Sequence, residues 1–164
     1  MRLAERTDPL SAQVHNDLAY ALRSAGRFDE AARHCEQAAN RALCLSRTRL
    51  AQGRVAEAID TLGAAVNRNA SAGEPVRAYL GYAYARAGRR QEAEQIARAL
   101  APFAVQQALI FAGLGDKNRT LDALERATAL GPVRLGRALA TPEFALIRGD
   151  PRLKALRRRV GLPE

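Results

Sequence analysis

Few residues in this sequence are suited to metal binding or acid–base chemistry: it has two histidines and two cysteines. An imidazole nitrogen or a thiolate can bind Zn²⁺, and an imidazole can transfer protons near neutral pH. His15, His34, Cys35 and Cys44 follow no common zinc-ligand spacing, and the adjacent His34 and Cys35 would lie on different faces of a helix. We therefore predict no metal site, and we expect both cysteines to be buried, reduced thiols that pack as small apolar side chains.

Motifs for other kinds of catalysis are missing from the sequence. It contains no phosphate-binding Walker loop, no Gly-x-Ser-x-Gly elbow and no His-Glu-x-x-His pair. Two acidic pairs, Glu92 with Glu94 and Asp122 with Glu125, are expected to bind nearby arginines on a solvated helix face. The sequence thus predicts a protein that is not an enzyme and has no cofactor.

The composition favours helices. The 164 residues are 48% hydrophobic but only 5% aromatic, and alanine is abundant. Alanine is the best helix former, whereas aromatic and β-branched residues favour strands. We therefore predict an all-α fold.

Basic residues outnumber acidic ones by 26 to 17, which gives a net charge of +9. Nearly all are arginines, which is typical of GC-rich bacterial coding as much as of function. The charge favours acidic partners and promotes non-specific nucleic-acid binding. No apolar run is long enough to cross a membrane, and the start of the chain is charged where a signal peptide is apolar. These features predict a cytoplasmic protein with no membrane partner.

The chain contains an internal repeat. Four glycines, Gly26, Gly53, Gly88 and Gly115, each separate two apolar helical patterns. Glycine suits the left-handed position that ends a helix, so each glycine is expected to join a helical hairpin. Small residues stand seven positions before the glycines, where they allow close helix packing: Ala19, Ser46, Gly81 and Ala108. One hairpin cannot bury its own apolar face, so successive hairpins must stack.

These blocks resemble tetratricopeptide repeats. The best match has Leu80-Gly81, Tyr84, Gly88 and Glu92-Ala93. The resemblance implies an all-α, right-handed solenoid of about four hairpins that binds a protein or peptide. Two of the three glycine intervals are 27 residues long and the third is 35. In the first short interval we expect the helix from residue 29 to 40 to run almost directly into the next one.

We predict three segments: an N-terminal leader over residues 1–10, helical repeats over 11–131 and a helical cap over 132–164. Thr141-Pro142 and Asp150-Pro151 are typical helix starts, and the tail's apolar residues are expected to cover the last hairpin. This tail also resembles the C-terminal part of tetratricopeptide regions in bacterial regulators that carry winged-helix, cyclase-like or Ser/Thr kinase domains. The matching residues include 146–152 and 158–163.

The family resemblance places partner binding on a concave face formed by the first helix of each hairpin. The line of residues six positions before the glycines is Tyr20, Arg47, Tyr82 and Leu109, and it is flanked by Asn16, Arg23, Leu43, Leu50 and Arg86. Tyrosine and arginine dominate many interfaces, and arginines beside an apolar strip suit a peptide with carboxylates. We therefore predict an adaptor or regulatory module with an acidic partner.

Two alternatives remain open at this point. The basic run Arg152, Lys154, Arg157, Arg158 and Arg159 favours a nucleic-acid-associated protein, although no aromatic stacking platform accompanies it. The chain could instead be the self-association domain of a regulator. The oligomeric state, and whether the chain acts alone or within a larger regulator, are left open.

Overall fold

The computed structural model describes residues 9–68 and 73–162. They form two compact units, which we call unit 1 (residues 9–68) and unit 2 (residues 73–162). The predicted leader up to residue 8, residues 69–72 of the predicted repeats and the last two residues of the predicted cap lie outside the described part of the chain.

Every regular element of the described residues is helical, as the composition predicts. Unit 1 contains α1 (Pro9–Ser24), α2 (Phe28–Cys35), α3 (Arg41–Ala51) and α4 (Val55–Arg68). Unit 2 contains α5 (Glu74–Arg86), α6 (Arg90–Ala99), α7 (Ala104–Gly113), α8 (Lys117–Arg126), α9 (Pro132–Leu139) and α10 (Pro151–Arg159), with 3₁₀ segments at Ala127–Leu130 and Pro142–Ile147. In neither described range is a helix long and apolar enough to cross a bilayer.

Each of the four repeat glycines joins two helices that pack against each other, as predicted for a helical hairpin. Gly26, Gly53, Gly88 and Gly115 have φ values of 74–77°, the left-handed region that only glycine adopts at little cost. The amide of the residue after each glycine donates to a carbonyl five residues earlier, as in a Schellman cap. The right-handed stacking of the hairpins stays a prediction.

The repeat spacing follows from helix length. Each 27-residue interval contains two short helices, of 8 and 11 residues in unit 1 and of 10 and 10 residues in unit 2. The longer interval contains helices of 14 and 13 residues. The prediction of one helix from 29 to 40 was wrong at its end, because α2 stops at Cys35 and Asn40 caps α3 by accepting a hydrogen bond from Leu43 N. Residues 36–40 form the intervening turns.

Small residues make the close helix contacts. Ala19, Ser46 and Ala108 are completely buried, as their spacing predicts. Gly81 of α5 faces α7 so closely that an added Cβ would lie 2.7 Å from Ile110 Cδ1. A larger residue at this position would therefore require the Ile110 side chain to shift.

The two cysteines overturn a sequence-based prediction. Cys35 and Cys44 are both buried, as expected, but they form a disulfide rather than two free thiols. The sequence has too few cysteines for a framework of several disulfides, and we therefore expected free thiols. That expectation was wrong because the pairing of two cysteines depends on their distance in space. The turns at residues 36–40 bring the two Cα atoms to 5.3 Å, within the range that a disulfide spans.

An ion pair between an arginine and a carboxylate recurs at the start of each hairpin's second helix. In the last hairpin the order of the two residues along the chain is reversed. In the first three hairpins an arginine follows the glycine and pairs with a glutamate three residues later, as Arg27 does with Glu30. In the fourth, Asp116 pairs with Arg119 and also caps α8 through Arg119 N. The reversal lets Arg119 donate two further hydrogen bonds to Glu94 of α6, at 2.7 and 2.9 Å. Arg119 therefore ties α6 to α8.

We expect Arg119→Met to lower the free energy of unfolding of unit 2 by about 1 kcal/mol near neutral pH. Hydrogen bonds from Arg119 hold the pKa values of Asp116 and Glu94 below their usual range. Such carboxyls stabilise the fold fully above their ordinary pKa values near 4, and this stabilisation is lost as the pH falls through the lower folded-state values. Urea unfolding of both proteins, at neutral pH and near pH 3, measures the difference.

The pH dependence separates the electrostatic contribution of Arg119 to stability from its packing contribution. Arg119 also lies over the Phe111 ring, at 4.4 Å from its centroid, and methionine keeps much of that apolar contact. Arg137→Met, an exposed position on α9, is the matched control. An equal loss for Arg119→Met at both pH values would contradict an electrostatic origin of the effect.

The tail packs onto the last hairpin, as predicted. The 3₁₀ segment Pro142–Ile147 contacts α7 and α8, and α10 contacts α8. Within residues 132–162 of the tail, five apolar side chains are buried: Leu135, Phe144, Ile147, Leu153 and Leu156. The tail therefore supplies part of the core of unit 2.

Candidate functional site

The predicted binding residues of unit 1 form two helical stripes. Asn16, Tyr20 and Arg23 are spaced by four and three residues on α1, so they share one face of that helix. Leu43, Arg47 and Leu50 have the same spacing on α3. Because α1 and α3 are in contact, the two stripes can contribute to one surface, which we call the α1–α3 face.

Tyr20 lies at the centre of the α1–α3 face. Its side chain is 37% exposed, and two guanidinium groups approach its ring, Arg23 Cζ at 5.4 Å and Arg47 Cζ at 6.0 Å from the centroid. Arg23 is buried and Arg47 half-buried, so packing limits their movement. Asn16 and Leu43 are half-buried, and Leu50 is almost fully buried. The structure thus places an exposed aromatic ring beside two partly or fully buried arginines.

The predicted binding residues of unit 2 are arranged differently. Tyr82 and Leu109 are each only 7% exposed. The Tyr82 ring lies against α7, where an added Cβ on Gly113 would be 2.9 Å from Tyr82 Cδ2. Burial raises the pKa of the Tyr82 hydroxyl, opposed by a 3.1 Å hydrogen bond from Arg86 Nη1. Of these three residues, Arg86 alone is exposed.

Sequence reasoning missed two residues of this region, Tyr79 of α5 and Glu143 of the tail. Tyr79 Oη donates a 2.8 Å hydrogen bond to Glu143 Oε1, and the Tyr79 and Tyr82 rings meet edge to face at 6.2 Å. Glu143 belongs to the predicted helix start after Thr141, but no local pattern links it to a tyrosine 64 residues earlier. The tail therefore contributes an acidic side chain beside the residues that α5 was predicted to offer to a partner.

The histidines lie together without forming a larger ligand set. His15 Nδ1 and His34 Nδ1 are 2.9 Å apart, so one ring donates a hydrogen bond to the other. The cysteine sulfurs are engaged in the disulfide. Within residues 9–68 and 73–162 no three histidine, cysteine or acidic residues are grouped so that they could hold a metal ion.

The acidic pairs bind arginines, as the sequence predicts. Arg119 contacts Glu94, and Arg152 of α10 contacts Asp122 at 2.5 Å and Glu125 at 3.0 Å. Arg159 also reaches Thr128 Oγ1, at 3.2 Å. Part of the basic run in α10 therefore holds the tail to α8.

No protein-family model matches the chain, and neither the curated proteins nor the solved structures contain a significantly similar one. The chemistry of the α1–α3 face is consequently the main indication of function. An aromatic ring and guanidinium groups can bind carboxylates and apolar side chains by hydrogen bonds, ion pairs and stacking.

Proposed function

We propose that the chain is a non-catalytic protein-interaction module of the tetratricopeptide type. In this proposal it serves in the cytoplasm as an adaptor or as the partner-sensing part of a bacterial regulator. The glycine-turned hairpins support the proposal, since helical hairpin repeats commonly present extended binding surfaces. The sequence resemblance of the third hairpin and of the tail supports it independently.

The partner that suits the α1–α3 face is an acidic peptide segment. The observation that carries this proposal is the exposed Tyr20 ring with the half-buried Arg47 guanidinium 6.0 Å from its centroid, while the buried Arg23 packs against the same ring at 5.4 Å and supports it. Tyrosine and arginine are enriched among the residues that dominate interfaces. A guanidinium whose side chain is partly packed, as that of Arg47 is, loses less conformational entropy when it binds a carboxylate than a freely moving one.

The proposed site is centred on unit 1. Tyr82 and Leu109 have little exposed area for a partner, so they serve mainly to pack α5 against α7. Arg86 is the remaining exposed member of the predicted set in unit 2, and its contact with the Tyr82 hydroxyl orients it.

We expect Arg47→Glu to weaken acidic-peptide binding by roughly 1–3 kcal/mol, because the reversal removes a favourable ion pair and adds a repulsive one. The probes are fluorescein-labelled peptides of glutamate, leucine and tyrosine, and their glutamine analogues control for charge. Fluorescence anisotropy gives the affinities. Arg33→Glu is the matched control, since Arg33 is an exposed residue of α2 in the same unit.

The stability of each Arg47 variant must be measured alongside its peptide affinity, because Arg47 is half-buried. Arg47→Gln removes the charge with a smaller perturbation, and thermal unfolding should show little change for either variant. Equal weakening by Arg33→Glu would mean that net charge, rather than the α1–α3 face, governs binding. If reversal of Arg47 leaves binding intact while reversals of Arg157 and Arg158 abolish it, the basic tail is the binding surface.

Two further measurements test the alternatives. Nucleic-acid binding through phosphate contacts would fall steeply with salt, so a salt titration with a short DNA duplex detects it. The contacts of Arg152 with α8 and of Arg159 with Thr128 of the following 3₁₀ segment weaken this alternative. Light scattering at several concentrations tests self-association.

A further inference from the structure

Unit 2 contains a cavity away from the residues considered so far. It has a volume of about 530 Å³ and lies where the start of α7 meets the 3₁₀ segment Ala127–Leu130 and α9. Its walls are mainly apolar, with Phe103, Val105 and Leu130 as the largest apolar contributors. The volume falls in the range of roughly 300–1,000 Å³ that is typical of small-molecule sites.

The apolar wall is incompletely covered. Phe103 is 40% and Leu130 44% exposed, although unit 2 buries most of its other large apolar side chains. A ligand with an apolar body would remove this area from water at a gain of about 25 cal/mol per Å². The cavity therefore offers a hydrophobic contribution to binding.

Two guanidinium groups, from Arg126 and Arg134, supply the charge at this cavity. Neither forms a salt bridge with any residue in the described part of the chain, whereas Arg119 and Arg152 of the same unit each bind two carboxylates. Arg126 donates a hydrogen bond to the buried amide of Gln107, which itself donates to Ala97 O at 2.9 Å. Arg126 is thus held in place, while Arg134 lies exposed on α9.

No aspartate or glutamate is among the described residues that line the cavity. An anion would therefore meet two cations and no opposing charge. The first residues of α7 also form part of the wall, and its N-cap residue, Phe103, has no side-chain oxygen to accept their N–H groups. This positive end of the helix adds to the preference for an anion.

We infer that this cavity binds a small amphiphilic carboxylate: an aliphatic body against Phe103, Val105 and Leu130, with its carboxylate between Arg126 and Arg134. The site lies wholly in unit 2 and does not depend on the α1–α3 face of unit 1. It gives the protein a ligand class that differs from an acidic peptide.

The test uses the full chain with decanoate, below its critical micelle concentration, as the probe. Isothermal titration calorimetry is expected to show saturable binding of one decanoate. Decanol, which keeps the chain but lacks the charge, and decyltrimethylammonium, which reverses it, are expected to bind at least about tenfold more weakly, since charge-assisted hydrogen bonds are lost. Absence of saturable decanoate binding, or equal binding of decanol, would overturn the inference.

Variants locate the site. Arg134→Glu is expected to weaken decanoate binding roughly tenfold to hundredfold. Arg137→Glu makes the same charge change at an exposed α9 position that does not line the cavity, so it should leave binding unchanged. Equal weakening by the two variants would show non-specific attraction and refute the site. Arg47→Glu, which tests the peptide proposal, should leave decanoate binding intact, so either proposal can fail alone.

Discussion

Truncation of the chain after Gly131 is expected to unfold unit 2 or make it aggregate. The truncation removes five buried apolar side chains, those of Leu135, Phe144, Ile147, Leu153 and Leu156, and uncovers the surfaces of α7 and α8 beneath them. A terminal repeat with an open apolar face exposes a patch that favours association. Differential scanning calorimetry and light scattering on the truncated protein measure the effect.

A point substitution tests the same packing with the chain intact. Phe144→Ala is expected to destabilise unit 2 by about 3–5 kcal/mol, since a buried aromatic ring is replaced by a cavity. Val133→Ala is the control, because Val133 is 75% exposed and its truncation should change stability by less than about 0.5 kcal/mol. A soluble truncated protein with an unchanged unfolding midpoint would show that the tail is not part of the core.

Sequence reasoning predicts features that are encoded locally. The glycine positions identify the hairpin turns, because a glycine directly after an apolar helical stretch commonly adopts the left-handed conformation that ends the helix. The burial of Ala19, Ser46 and Ala108, seven residues before three of the glycines, follows from the same alignment. The burial of tail residues such as Phe144 is also predictable, because the apolar residues of the tail must pack against another part of the fold.

Features that depend on long-range contacts are not predictable in this way. Tyr20 and Tyr82 occupy the same repeat position, yet one is exposed and the other is packed against Gly113. The difference arises from the neighbouring helix, whose small residue admits the ring of Tyr82. The contact between Tyr79 and Glu143 likewise joins two segments that are far apart in the chain.

The disulfide is the clearest case in which local reasoning gives the wrong result. The residues between Cys35 and Cys44 contain neither glycine nor proline, so they resemble a continuous helix, in which two positions nine residues apart could not be bridged. Asn40 decides the outcome, because its side chain caps a new helix and the chain turns before it. The disulfide thus depends on where α2 ends and α3 begins, and sequence patterns predict such helix boundaries poorly.

Reduction of this disulfide is expected to lower the free energy of unfolding of unit 1 by about 2–3 kcal/mol. A bridge that closes a loop of this size restricts the unfolded chain, and reduction restores that conformational freedom. Both cysteines also lie in the core of unit 1 beside Ala19, so two thiols must fit where one bridge is packed. Urea unfolding with and without dithiothreitol measures the change.

The double variant Cys35→Ala, Cys44→Ala separates the bridge from other effects of the reductant. Its unfolding midpoint should not respond to dithiothreitol, and it should still bind the acidic peptides, because neither cysteine belongs to the α1–α3 face. Unit 2 is the internal control, since the sequence contains no further cysteine. The cytoplasm keeps most thiols reduced, so the bridge would form there only if its potential lies below that of glutathione. The test is alkylation in a glutathione buffer of cytosolic composition, followed by mass spectrometry. Two free thiols would show that the reduced pair expected from the sequence is the form present under those conditions. Unit 1 would then have to fold there without the stabilisation that the disulfide provides.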